Sequence, residues 1–295
     1  MKKFFVGCAK VIALTIGQIF FFSIAVQLVG STSKPLPPEE MQKAGMGLFL
    51  ACFINSLIIW PLVSRSRMKG IKFILALFLL VFGIQTFMAQ IETLFFNSSL
   101  KIPLAEIAGF FKTGALAAAL FSLFSALVLG RLKNISSHDE IGVELPTTSI
   151  EWTWKLSVLS VLYVILYMSF GYFVAWQSPA VREFYTGSTE ISGFFSGTMR
   201  TLFVTNPWLG PFQILRALMW TGLTLIVVKM MKGKVWEVGL TNGLMLGIFF
   251  TSYLLLPNPY MPEPVRMAHL LETSTSTFIF GVAAVYLLNF RKKNL

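Results

Sequence analysis

The chain has 295 residues, 55% of them hydrophobic and only 13% charged, and its mean hydropathy is +0.72. A soluble domain carries about a quarter charged residues, so this composition excludes a single water-soluble core and makes lipid the natural solvent. The formal net charge of +11 does not indicate a nucleic-acid partner, because the basic residues sit in short clusters between apolar runs, the pattern of topology signals.

Crossing a bilayer takes about 20 mostly apolar residues, and eight runs qualify. The first, 4–29, follows Lys2 and Lys3 in the manner of a signal sequence. Lys10 breaks its apolar stretch early and no clear small-x-small cleavage site precedes Val29, so a permanent span is expected. The second is 44–64, the third 71–95 and the fourth 103–130, which opens on Pro103. These make a first half, 1–134, followed by a polar linker, 135–152, and a second half, 153–295. The fifth run is 153–176, and the long connection 177–206 follows it. Within that connection, Ile191–Val204 mixes Phe194, Phe195, Met199, Leu202 and Phe203 with glycines and small polar residues. A helix lying in the interface is expected there in preference to a re-entrant gate. Asn206-Pro207 starts the sixth run, 207–230, and the seventh is 235–256. Pro257-Asn258-Pro259-Tyr260 reads as a turn, and Pro262 and Pro264 lead into the eighth run, 264–290.

Open sheet cannot cross lipid with unpaired backbone groups, so the runs are expected to be helices. The fold class is therefore all-α: a polytopic integral membrane helical bundle with about eight transmembrane helices. Basic residues fall on one side if every run crosses once: Lys2, Lys3 and Lys10, then Arg65, Arg67, Lys69 and Lys72, then Arg131, Lys133 and Lys155, then Lys229, Lys232 and Lys234, then Arg291, Lys292 and Lys293. The positive-inside rule makes that side cytoplasmic. The expected location is the cell membrane, multi-pass, with both termini in the cytoplasm. Met68-Lys69-Gly70 and Met231-Lys232-Gly233 follow runs two and six, and Arg131-x-Lys133-Asn134 and Arg291-x-Lys293-Asn294 follow runs four and eight. These short matches at nearly equal offsets suggest a weak 4+4 parallel internal repeat.

Ionisable residues inside spans are costly and often functional. The eighth run carries Arg266, His269, Glu272 and five Thr/Ser residues from Thr273 to Thr277. Residues three and four apart share a face, so Arg266, His269, Thr273 and Ser276 form a stripe with Glu272 beside it. Glu272 lies about 12 Å below the start of the run at 1.5 Å per residue. The third run supplies Gln85 and Glu92, the sixth Gln213 and Arg216, and the fourth Glu106 and Lys112. Glu92, Arg216, Arg266, His269, Glu272, Gln85 and Lys112 are expected to meet in one ligand-binding or proton-coupling site open to the outside.

The corresponding function is transporter-like: the site binds or passes a small polar or anionic solute, or a lipid-derived ligand, with the lipid bilayer as the other partner. One alternative is an intramembrane hydrolase or transferase acting on a lipid or peptide. It would use His269 and Glu272 directly, or a divalent metal held by His269, Glu272 and Glu92. That HxxE signal is weak: no HExxH occurs, and His138 lies in the linker. The second alternative is that the charges only hold helices together, in a scaffold or assembly role. No Walker A or dinucleotide glycine pattern is present. Cys8 and Cys52 have no metal-ligand spacing.

Overall fold

The computed structural model describes residues 2–30, 37–132 and 143–290. Its principal helices are α1 (Lys2–Val29), α2 (Pro38–Ser64), α3 (Gly70–Phe95), α4 (Leu104–Val128), α5 (Ser149–Phe173), α6 (Pro179–Thr186), α7 (Phe194–Arg200), α8 (Leu209–Met230), α9 (Val235–Leu255) and α10 (Glu263–Asn289). All except α6 and α7 belong to the eight segments long and apolar enough to span a membrane. The all-α polytopic bundle is thus what forms, with helix ends close to those expected. His138 and most of the linker lie outside the described residues.

The outer surface shows why lipid is needed. Ile12, Ile16 and Phe20 on α1, Phe49, Phe53 and Leu57 on α2, and Ile71, Leu75 and Leu79 on α3 are all exposed. Each set repeats every four residues and so makes one stripe along its helix. Water would not tolerate such a continuous apolar girdle; acyl chains cover it without penalty.

Lipid gives helices no hydrophobic reason to pair, so close packing and interhelical hydrogen bonds must hold them. The seam between α9 and α10 shows both. Gly239, Gly243 and Gly247 repeat every fourth residue along α9. A Cβ at Gly243 would lie 3.0 Å from the Phe278 carbonyl oxygen, and one at Gly247 2.6 Å from that of Ser274. Only glycine lets the two backbones approach this closely. Across the seam Thr277 Oγ1 donates to the Leu246 carbonyl at 2.7 Å, and Asn242 Nδ2 donates to the Gly281 carbonyl at 2.8 Å.

Two spans contain π turns, Gly83–Phe87 in α3 and Met245–Phe249 in α9. A π turn disturbs the regular carbonyl ladder. Gln85, within the first, donates from Nε2 to the Phe249 carbonyl at the end of the second, at 3.2 Å. Ser252 Oγ donates to the same carbonyl at 3.1 Å.

The connections between spans two and three, four and five, and six and seven meet at one end. Gly70 N–H donates to the Arg131 carbonyl, Arg67 N–H to that of Met230, and Lys232 N–H to that of Arg65. Most of the clustered basic residues lie here. Two of them, Arg131 and Lys155, serve as caps for the orphan carbonyls that end a helix. Arg131 donates to the carbonyls of Ser64, the last residue of α2, and of Ser66 just beyond it, at 2.6 and 3.0 Å. Lys155, fully buried, donates from Nζ to the Leu288 and Phe290 carbonyls at the end of α10.

Candidate functional site

At the end of the bundle away from these basic connections, α3, α5, α8 and α10 enclose a small cavity. It is lined by Glu92, Tyr163, Leu166, Tyr167, Arg216, Glu272, Thr273, Ser276 and Thr277. Its space for water-sized contents is about 10 Å³, close to the minimum that holds one water. Every polar side chain in it comes from within a span.

Arg216 anchors one wall. It is 1% exposed, and its guanidinium makes a two-pronged contact with Glu92: Nη1 donates to Oε1 and Nη2 to Oε2, both at 2.8 Å. Nη1 also donates to Gln213 Oε1 at 3.2 Å, one turn earlier on α8. The guanidinium carbon lies 5.8 Å from the ring centroids of Tyr163 and Phe212. Tyr163 is itself fixed, since its hydroxyl accepts from Trp220 Nε1 at 3.1 Å. Phe212 stacks on Phe95 with centroids 4.0 Å apart, which ties α8 to α3 beside the ion pair. Two buried donors beside this pair, Arg216 Nε and Gln213 Nε2, have no protein partner.

The opposing wall is α10. Glu272 is buried, and its Oε2 accepts from Thr273 Oγ1 at 2.8 Å. The same oxygen lies 3.3 Å from His269 Nδ1. The other ring nitrogen, Nε2, is 3.0 Å from the hydroxyl of Tyr185 on α6. An ionised carboxylate only accepts, so the geometry suits an imidazole with its proton on Nδ1, facing Glu272, and with Nε2 receiving the Tyr185 hydroxyl. Burial, joined by the charges of Glu92 and Glu272, pushes the Tyr185 phenol above its ordinary range. It therefore keeps its proton to donate.

The short helix α6 is positioned by an arginine. Arg182 donates from Nε to the Thr189 carbonyl at 2.7 Å, and from Nη1 to those of Trp176 and Gln177 at 2.6 and 3.1 Å. This fastens α6 to the end of α5 and brings Tyr185 over His269, with Trp176 stacked on its far side.

Of the seven residues expected in one site, Glu92, Arg216 and Glu272 line the cavity, and His269 touches it through Glu272. The other three lie elsewhere. Gln85 is occupied with the Phe249 carbonyl between the two π turns. Arg266 donates from Nη1 to the Leu254 and Leu256 carbonyls at 2.8 and 2.7 Å, capping the end of α9. Lys112 is exposed on α4. The metal alternative also loses its third ligand: among the described residues no three His, Cys, Asp or Glu side chains gather closely enough to hold an ion. Glu92 is turned to Arg216 rather than toward His269 and Glu272.

Sequence reasoning missed the tyrosines. Tyr163 and Tyr167 sit four apart in the fifth run, a spacing that placed them on one face. Tyr185 gave no signal, because it comes from a connection in which α6 was not expected.

No family profile, curated protein or solved structure matches this chain.

Proposed function

We propose that this chain binds a small polar solute in the cavity and passes it across the membrane, with the cavity end facing away from the cytoplasm as the positive-inside rule requires. The observation that carries this reading is a guanidinium with an unused buried donor, Arg216 Nε, in the wall of a cavity lined by hydroxyls and carboxylates, with a second unused donor, Gln213 Nε2, one turn away on α8. A purely structural ion pair gains nothing from leaving donors unsatisfied, since each costs about 1–3 kcal/mol. A solute with acceptor groups recovers that cost. The charge count disfavours a free anion: Glu92 and Glu272 already face a single guanidinium. A neutral or zwitterionic solute suits the site better, and a cavity of about 10 Å³ must widen to admit one.

The test is thermal stability of the purified protein against a panel of amino acids, polyols, nucleosides and small carboxylates. A binder raises the melting temperature of the wild type and leaves Gln213→Leu and the double variant Glu92→Gln/Arg216→Gln unmoved. A panel without any shift, or shifts retained in the double variant, removes this reading. The bidentate geometry of Arg216 on Glu92 favours a second reading, in which the pair merely pins α3 to α8. That reading leaves Glu272, His269 and Tyr185 without a purpose. An enzyme using His269 as base is less favoured, because its Nε2 is covered by Tyr185.

A further inference from the structure

The cavity is one fixed positive charge short. Two carboxylates reach it, Glu92 from α3 and Glu272 from α10, and Arg216 from α8 is spent on Glu92 through both terminal nitrogens. The remaining nearby groups cannot supply the missing charge. Tyr163 and Tyr167 from α5 and Tyr185 from α6 are phenols. Arg266, one turn before His269 on α10, is turned to the Leu254 and Leu256 carbonyls. Against α10 on the other side, α9 presents Gly243 and Gly247. Glu272 is buried, and an uncompensated carboxylate inside a bilayer is among the most costly arrangements a membrane protein can keep. Among the described residues, its one titratable neighbour within hydrogen-bonding reach is His269, at 3.3 Å.

We infer that the His269–Glu272 pair is a proton-binding site, and that its proton is the exchangeable charge that balances the cavity. With the second proton on His269, the imidazolium faces Glu272 through Nδ1–H and donates to the Tyr185 oxygen through Nε2–H. The cavity then holds two negative and two positive charges. Without that proton the pair keeps one net negative charge. Tyr185 is the positioning residue: its hydroxyl accepts from or donates to Nε2 in the two states, so the ring keeps its orientation as the proton comes and goes. The His269 side chain is 22% exposed and that of Glu272 7%, so the proton enters at the imidazole, and the carboxylate carries its effect to the cavity. This deepens the solute reading, since a neutral solute loaded alongside the proton meets a charge-balanced cavity.

The chain has two histidines, which makes a direct test clean. Histidine-labelled protein carrying His138→Asn, held in lipid nanodiscs, reports His269 alone by nitrogen NMR. At alkaline pH the expected spectrum is a neutral ring with its proton on Nδ1, and on acidification the doubly protonated ring appears. Glu272→Gln lowers the ratio of protonated to neutral ring at a given pH by about tenfold, because the imidazolium loses its charge partner. Tyr185→Phe keeps the second proton and the Nδ1–H tautomer that Glu272 sets, but broadens the ring resonances because Nε2 has lost its partner. If Glu272→Gln does not fold, Glu272→Asp answers the same question with a severalfold smaller ratio than wild type. An equal ratio in wild type and variant, or a ring that stays neutral from about pH 8 to 5, overturns the proposal. This readout needs no solute. A failed solute panel with a responsive histidine leaves the proton site standing, and a solute that binds without any histidine response does the reverse.

Discussion

Two regions of this molecule meet the same problem, a positive charge in or near lipid, and solve it differently. At the basic end, and at the ends of α5 and α9, cations turn to backbone. Arg131, Lys155, Arg182 and Arg266 each donate to two or more carbonyls, most of them at the end of a helix. Those carbonyls have no intrahelical partner, and they carry the negative end of the helix dipole. The cation therefore satisfies a need that exists in any bundle. In the cavity, Arg216 sits within a helix, where the carbonyls are already engaged, and turns to a carboxylate from another span. The first arrangement explains itself through folding alone. The second joins two charges from separate spans, and a second acid, Glu272, stands opposite it.

The comparison can be broken most sharply at Arg216. Arg216→Met strands Glu92 and is expected to cost about 3–5 kcal/mol in detergent unfolding, whereas Glu92→Leu/Arg216→Met recovers most of it. Losses that simply add would deny the direct pairing. A smaller effect is expected from Arg266→Met: about 1–3 kcal/mol, because the Leu254 and Leu256 carbonyls it leaves belong to half-buried residues. Loss of an acid should not rescue it, because its hydrogen-bond partners are carbonyls. Recovery in Glu92→Leu/Arg266→Met would erase the distinction between the two kinds of site. Smaller again, Thr277→Val removes one interhelical hydrogen bond to α9 and should lower stability by about 0.6 kcal/mol, the usual worth of such bonds in a membrane. Smallest of all is Glu237→Gln at the basic end. It breaks the exposed 2.6 Å pair with Arg65 and should leave the melting temperature unchanged at physiological salt, since exposed pairs contribute little.

How much of this was legible beforehand differs by element. The eight spans were, because each must bury its own backbone bonds and present about 20 apolar residues to lipid, a constraint written locally in the chain. Glu92, Arg216, His269 and Glu272 were legible as a set, since charges stand out against an apolar background. Gln85, Arg266 and Lys112 stood out equally and were grouped with them, because composition cannot tell a cation that caps a carbonyl from one that meets a carboxylate. The Gly239, Gly243 and Gly247 repeat was equally legible, since four-residue spacing of glycines is a packing signal.

By itself, then, the sequence determined the solvent, the number of crossings and which residues would be expensive to place, all of which follow from side-chain polarity and helix length. Only the tertiary structure decided the partners. Arg216 reached Glu92 across 124 positions, and Tyr185 reached His269 across 84, because helix packing angles and the α6 turn bring them there. Spacing along one chain holds no record of a distance set by how separate helices lie against each other.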